Sequence, residues 1–463
     1  MVTLLSGTAV TLLISYLSVP ILTRLFTPEE FGVSDYFIMI VSVFITFASL
    51  RYEDAVMLPE NDEKASSVFW LAAGLTLVTV ALTAIFAIWS HEIAAFLRVE
   101  GVAVWLWLVA PTLFLMRLCK LAEIWLTREH RFRVITGGEV ANKVTMMGAR
   151  IGAGAVADLG AGGLIGGFVV AHVVSGAYFL RSLFQNAGGR LVRVSMRQIR
   201  EAANRYRRFA LYSTPASFLN AVVARLPVLL LPVFFSMETV GYFGRAFVAL
   251  AVPLSLVGTA VSQVFIVHAA EAHRAHRLAL LTKTIHARLV MVGMFPTLLL
   301  VAAGPELFAF VFGPEWRTAG DFARYLAFWF FAGGVASPLS RLFDILERQR
   351  TELLISTATC LALTIALVIG GKSGDVHFTI VLVAIAGTLI RVMHIGTMTQ
   401  LAGIRLLDAI RPYVHYFLLG LPLAAPLWLL RGEMAGWTLT LLAAACGAAY
   451  FAIVVWREEL LVK

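Results

Sequence analysis

Charge is what this sequence has least of. Asp, Glu, Lys and Arg supply 14% of its 463 residues and hydrophobic residues 60%, against about 25% charged in a soluble globular chain. That balance excludes a water-soluble enzyme. It also moves the net charge of +9 from nucleic acid, which is not expected as a partner, to loops beside a lipid bilayer. Cysteine is scarce as well: Cys119, Cys360 and Cys446 sit in apolar runs without CxxC or CxxH spacing. Neither a disulfide framework nor a metal site follows from them. No Walker A pattern occurs, so ATP hydrolysis and a nucleotide cofactor are not expected. The first apolar segment has no basic n-region and no small-residue cleavage site, and it reads as a retained helix.

Long apolar runs are what the chain has instead. Fourteen segments are long and oily enough to span a bilayer, at roughly 3–25, 33–58, 66–89, 102–126, 137–157, 161–183, 209–235, 239–268, 284–311, 321–346, 352–371, 377–402, 412–430 and 435–456. The fold class is therefore an all-α polytopic membrane protein. The fifth and sixth segments meet in "GARIGAGAVADLGAGGLIGG" (148–167), whose small residues suit close helix packing in lipid and obscure the break.

Lys and Arg cluster after even-numbered segments. Arg128, Arg131 and Arg133 follow the fourth, and Arg274, Arg277 and Lys283 the eighth; the stretch 181–208 after the sixth carries eight arginines, from Arg181 to Arg208. Connections such as "TPEEFG" and "SMETVG" have none. Positive loops stay inside, which places both termini in the cytoplasm. The stretch 190–208, with Val194 and Ile199 among its apolar positions, also has the composition of an amphipathic helix lying along the inner leaflet.

The two sides of that stretch repeat each other. Phe26-Thr27-x-Glu29-x-x-Gly32 aligns without a gap with Phe235-Ser236-x-Glu238-x-x-Gly241, and "REHR" (128–131) echoes "ERQR" (347–350). A parallel repeat follows, with its axis along the membrane normal. It divides the chain into a six-helix lobe (1–185), a basic linker (186–208), a second six-helix lobe (209–404) and a two-helix appendage (405–463).

Three stretches, "LTRLFTPEEFGVSDYF" (22–37), "LRYEDAVMLPENDEKA" (50–65) and "FVFGPEWRTAG" (310–320), resemble the polysaccharide-exporter branch of the MOP superfamily, the O-antigen and exopolysaccharide flippases. The resemblance implies a two-lobe, V-shaped transporter working by alternating access in the bacterial cytoplasmic membrane. Its cargo would be an undecaprenyl-pyrophosphate-linked oligosaccharide moved from the cytoplasmic to the outer leaflet. Polymerase and chain-length proteins of the same pathway are then expected partners. Only Met1 and Val2 precede the first span, where a short cytoplasmic leader is expected.

A charge inside a span costs about 2.5–3.5 kcal/mol on insertion scales and normally faces a wet cavity or a partner. Arg117, Arg150, Arg225 and Arg391 lie deep in segments 4, 5, 7 and 12. Lys120 and Glu123 follow Arg117 at steps of three, and Glu139 and Lys143 are spaced to pair. Arg51 with Glu53 and Asp54 ends the second segment, and Arg341 with Asp344 the tenth. A cationic cavity for pyrophosphate, formed by Arg24, Arg51, Arg117, Lys120, Arg150, Arg225, Arg341 and Arg391, is the functional reading. Arg24 enters through its position in the resemblance. Asp35, Glu53, Asp54, Glu123, Glu139 and Asp344 are charge partners or ion-coupling groups. The alternative for each cation is snorkelling to an interface or pairing within its helix. For Arg51 the alternative is a helix-end network locking the segment to its acidic loop, whose carboxylates begin the third helix. Trp105, Trp107, Trp125, Tyr325, Trp329 and Trp437 suit sugar stacking but sit where aromatic belts occur. His172, His268 and His394 read as packed helix residues. No catalytic residue or metal ligand is expected, and coupling to the membrane potential, H+ or Na+ is open. The rivals are a lipid II flippase, a MATE-like drug or cation antiporter, which wants membrane carboxylates, and a membrane glycosyltransferase or polymerase, which wants a large outer loop.

Overall fold

The computed structural model describes residues 2–96, 99–186, 191 and 194–462. Its long helices number fourteen among the described residues: α1 Val2–Leu25, α2 Pro28–Phe47, α3 Asp62–Phe86, α4 Val109–Arg128, α5 Phe132–Val156, α6 Ala161–Asn186, α7 Thr214–Phe234, α8 Met237–Arg274, α9 Leu278–Phe312, α10 Arg317–Leu339, α11 Gln349–Ser373, α12 Val376–Leu401, α13 Leu406–Leu430 and α14 Gly436–Val462. Among the described residues, ten stretches, built on α2–α4, α6 and α9–α14, are long and apolar enough to cross a membrane. Helix α5 carries Arg133, Glu139, Lys143 and Arg150, and that charge sets it apart from the ten. The chain is a multi-pass helical membrane protein.

Turn chemistry separates the two ends of the helices. Four of the connections that follow even-numbered helices close the same way. A left-handed residue (His130, His276, Glu347 or Gly403) is followed by an amide that bonds a carbonyl five residues back. The bonds run from Arg131 to Leu126, Arg277 to Ala272, Arg348 to Phe343 and Ile404 to Thr399, at 2.8–2.9 Å. These are glycine-type helix stops, three of them built on residues that carry a Cβ. At the opposite ends helices begin on side-chain caps. The amide of Glu30 donates to Thr27 Oγ1 (3.3 Å), that of Thr239 to Ser236 Oγ (3.4 Å) and that of His377 to Asp375 Oδ1 (2.8 Å). The first repeat is thus one capping motif used twice. The second echo shifts by two residues, because the left-handed positions, His130 and Glu347, set Arg131 against Arg348.

Two compact units divide the chain at Met1–Gly241 and Tyr242–Lys463. In the first, α1 packs on α5, α5 on α6, α4 on α6 and α3, and α2 on α7. Helix α7, which the repeat places in the second half, therefore belongs to this unit. The break between α5 and α6 falls at 157–160, where Asp158 and Gly160 take positive φ. The second span is shorter than expected. Its α-helix stops at Phe47; Leu50 and Arg51 are both left-handed (φ 49° and 58°), and a 3-10 turn Tyr52–Met57 carries the chain to Pro59.

Consecutive left-handed residues with side chains cost about 1–3 kcal/mol each and persist only where surroundings over-determine them. The surroundings here are polar. Arg128 donates to the Pro59 carbonyl (2.8 Å) and pairs with Asp62 (3.1 Å). Tyr52 Oη donates to the Ala203 carbonyl (3.0 Å). Asn61 caps α3 through the Lys64 amide (3.1 Å), with Asp62 and Glu63 in the favourable first turn.

The basic stretch forms a short helix, Met196–Arg205, opened by a Ser195–Gln198 capping box. It packs on α3, with Ala202 buried in the same core cluster as Tyr52, Ala65 and Phe69. Arg197 and Arg200 point outward, whereas Arg190 and Arg193 lie outside the described residues.

In the second unit α9 is the centre, touching α10, α13 and α14. The two-helix appendage is fastened to it: Tyr450 Oη donates to the Met291 carbonyl (2.9 Å), and Lys283 pairs with Asp408 (2.9 Å). The "FVFGPEWRTAG" stretch is a corner. Gly313 has φ 118°, Trp316 is fully buried, and a Cβ on Gly320 would strike the backbone of Gly304 and Pro305.

Candidate functional site

In the first unit most of the predicted cations are engaged. Arg117 is 5% and Glu53 7% exposed, and they pair at 2.7 Å. Ser49 bridges them, accepting from Arg117 and donating to the Glu53 carboxylate. Arg51 is held by Asp54, with Nε donating at 2.7 Å, and its Nη1 donates to Ser217 Oγ of α7 (2.9 Å). So the two carboxylates that end the second span serve two different arginines. Asp54 steadies the half-exposed one and Glu53 neutralises the buried one. This is the helix-end network, and it extends beyond its own loop to α4 and α7.

Lys120 and Glu123 pair at 3.4 Å. Glu139 and Lys143, expected to pair, form no ion pair among the described residues; the cations acting on them are Lys120 and Arg150 respectively. Arg150 Nε donates to the Leu164 carbonyl of α6 (3.0 Å). Arg225 is half-buried in α7, with no hydrogen bond or ion pair among the described residues. Arg24 is exposed at the end of α1 and Asp35 half-buried in α2, each with a partner. Near Asp35 the chain makes a reciprocal crossing. A Cβ on Gly32 would collide with the Met237 carbonyl, and one on Gly241 with the Pro28 carbonyl. Each repeat's glycine thus lies against the other repeat's first helical turn, an approach that only a residue without a Cβ permits.

In the second unit Arg341 pairs with Asp344 at 3.4 Å, both about half exposed. Arg391 differs. It lies half-buried in α12 with no carboxylate partner among the described residues, and its Nη1 donates to His394 Nδ1 (3.5 Å). That bond leaves the His394 proton on Nε2. Arg391 Nε and His394 Nε2 are both buried with no acceptor. Phe343 stacks on the imidazole with centroids 5.4 Å apart, and a Cβ on Gly333 of α10 would stand 4.0 Å from Arg391 Nε. Two orphaned N–H donors thus stand beside a guanidinium that has no carboxylate partner among the described residues.

A family model described as "Polysaccharide biosynthesis protein" matches residues 21–321. The chain belongs to the polysaccharide biosynthesis protein family. No curated protein matches it. Among solved structures it resembles "Lipid II flippase MurJ, inward closed conformation", with a TM-score of 0.75 and 12% identity over 98% of this chain and 100% of that one. It also resembles an inward-facing multidrug resistance MATE family transporter of the MOP superfamily, with a TM-score of 0.61 and 13% identity over 91% and 96%. An outward-facing form scores 0.54 at 13% identity over 87% and 94%. At such identities the likeness shows the fold, and the fold is the one the resemblance implied.

Sequence reading of this family member overlooked the uncharged members of the site. Ser49 and Ser217 bridge arginines across elements, which spacing along one helix does not reveal. His394 stands three residues from Arg391, a helical neighbour, and that spacing was the available signal. Arg128 read as one more inside charge, yet its fork holds the carbonyls of the acidic loop.

Proposed function

We propose that this protein carries an undecaprenyl-pyrophosphate-linked oligosaccharide from the cytoplasmic to the outer leaflet of the bacterial cytoplasmic membrane by alternating access. Both termini face the cytoplasm. The polymerase and chain-length proteins of the same pathway would take the cargo on. The observation that carries the reading is the Arg391–His394 pair. An uncompensated guanidinium within a span is costly, and its orphaned donors would be satisfied by phosphate oxygens, which accept several N–H groups at once. Arg225, also without a carboxylate, is a second candidate contact. A cation antiporter would need the opposite sign at such positions. The family match supports a place in polysaccharide assembly. Moving each negative charge outward at about 100 mV contributes about 2.3 kcal/mol, so the membrane potential assists the step without nucleotide.

The test is transport in proteoliposomes of a fluorescent polyprenyl-pyrophosphate sugar beside a neutral lipid-linked analogue. Charge-assisted hydrogen bonds of about 1.5–3 kcal/mol imply a loss of about ten- to a hundredfold in Arg391→Ala. The loss should be smaller in Arg391→Lys, which keeps the charge and loses the fork. Normal flipping in both variants, or movement of a cationic dye in place of the lipid, defeats the reading.

A further inference from the structure

A pocket of about 240 Å³ lies within the first unit. Helix α2 lines it from Tyr36 to Phe44, and α3 through Thr83 and Phe86. Leu106, in the 3-10 turn Glu100–Leu108, and Leu229 of α7 close it. Thr79 Oγ1 donates to the Ala48 carbonyl (3.3 Å) and fixes the register of α3 against α2. Thr83 therefore stands at the Phe44 end, with its hydroxyl spent on the Thr79 carbonyl (2.7 Å). Tyr36 is fully buried at the other end, and its Oη has no hydrogen-bond partner among the described residues. The other side chains of the wall are apolar.

Protein interiors contain few voids larger than a water molecule. Water does not suit this one, because a buried water needs two to four polar partners and the pocket offers a single free hydroxyl. It suits a hydrocarbon chain that carries one hydrogen-bond acceptor. The bilayer supplies such a chain at the pocket's edge. Phe86 continues an apolar strip of α3 with Leu77, Val78, Leu82 and Ile85, each at least half exposed, and on a spanning helix such a strip faces lipid. We infer that the pocket holds one acyl chain of a bilayer phospholipid, whose ester carbonyl accepts from Tyr36 Oη. The chain then runs past Met39 and Val43 to Phe44, about 12 Å along α2. Tyr36 is nearer than Phe44 to Pro28, where α2 begins. The carbonyl is thus nearer that membrane surface and the chain points inward, the order in which a leaflet holds its lipids. A polyprenyl chain has no ester carbonyl, so the site is separate from the cargo and from the Arg391–His394 pair.

The full chain, reconstituted with an equimolar mixture of diester and diether phosphatidylglycerol bearing the same chains, tests this. Native mass spectrometry after mild delipidation reads which lipid stays bound. The wild type should retain the diester over the diether form by about two- to tenfold, the worth of one neutral hydrogen bond. Tyr36→Phe, which keeps the shape and removes the donor, should retain the two equally. Val43→Trp, which fills the pocket, should retain less of both; if it fails to fold, Tyr36→Phe decides alone. Equal retention of the two lipids by the wild type overturns the proposal. So does a diester preference undiminished in Tyr36→Phe, or unchanged retention in a folded Val43→Trp. Because the readout involves no transport, a failed flipping assay leaves it intact, and the reverse holds too.

Discussion

At the scale of single residues, burial decides what each ion pair is worth. Arg117 and Glu53 are shielded from water, so removing one partner strands the other. Glu53→Ala should lower stability by about 3–5 kcal/mol. Replacing both, as in Glu53→Leu with Arg117→Met, should recover most of that loss. Asp54→Ala touches a pair whose side chains are 38% and 36% exposed; screening limits its cost to about 1 kcal/mol or less. Thermal unfolding of the detergent-solubilised protein ranks the three. Equal losses for Glu53→Ala and Asp54→Ala would mean that the buried pair is not what holds the end of the second span.

At the scale of elements, the repeat is visible because a capping motif has a fixed chemistry. A hydroxyl must stand just before the first turn, and a glycine must stand where another backbone comes close. Thr27 and Ser236 meet the first requirement, Gly32 and Gly241 the second, and both were legible as a gapless match. What the match did not disclose is that the two glycines meet each other, since no local pattern reports a contact across some two hundred residues. The end of α2 was misread for a related reason. Hydrophobicity runs on to Pro59, but the helix stops where Ser49, Glu53 and Arg117 assemble, and Arg117 is far away in sequence. The deep arginines were found by position alone, whereas Ser49 and Ser217, which bridge Arg117 and Arg51 to other elements, needed three dimensions. His394 was within reach of helical spacing but read as a packed residue. Thr27→Ala should cost about 1 kcal/mol through the lost cap. Gly32→Ala should be worse, because the added methyl forces α2 away from the first turn of α8. Gly152→Ala, with open space around it, should be neutral or slightly stabilising through helix propensity. Melting temperatures that put Gly32→Ala level with Gly152→Ala would show that the crossing does not hold.

At the scale of the whole molecule, orientation rests on two independent features that agree. Left-handed stops followed by Arg131, Arg277, Arg348 and Arg405 close the ends of α4, α8, the tenth span and α12. Capped, Lys- and Arg-free turns open α2 and α8. The first feature is backbone chemistry and the second is charge, yet both separate even-numbered from odd-numbered connections. Because basic loops are retained on the cytoplasmic side, the four stops should be inside and the Thr27 and Ser236 caps outside. Single cysteines placed on a cysteine-free background at His276, Arg350 and Arg197 should resist a membrane-impermeant maleimide in intact cells and react after permeabilisation. Cysteines at Glu29 and Asp158 should react in intact cells. Cysteines from both sets reacting together would break the link between turn type and side. Complete reversal would keep that link and place both termini outside, while the membrane potential would still assist only outward movement of an anionic cargo.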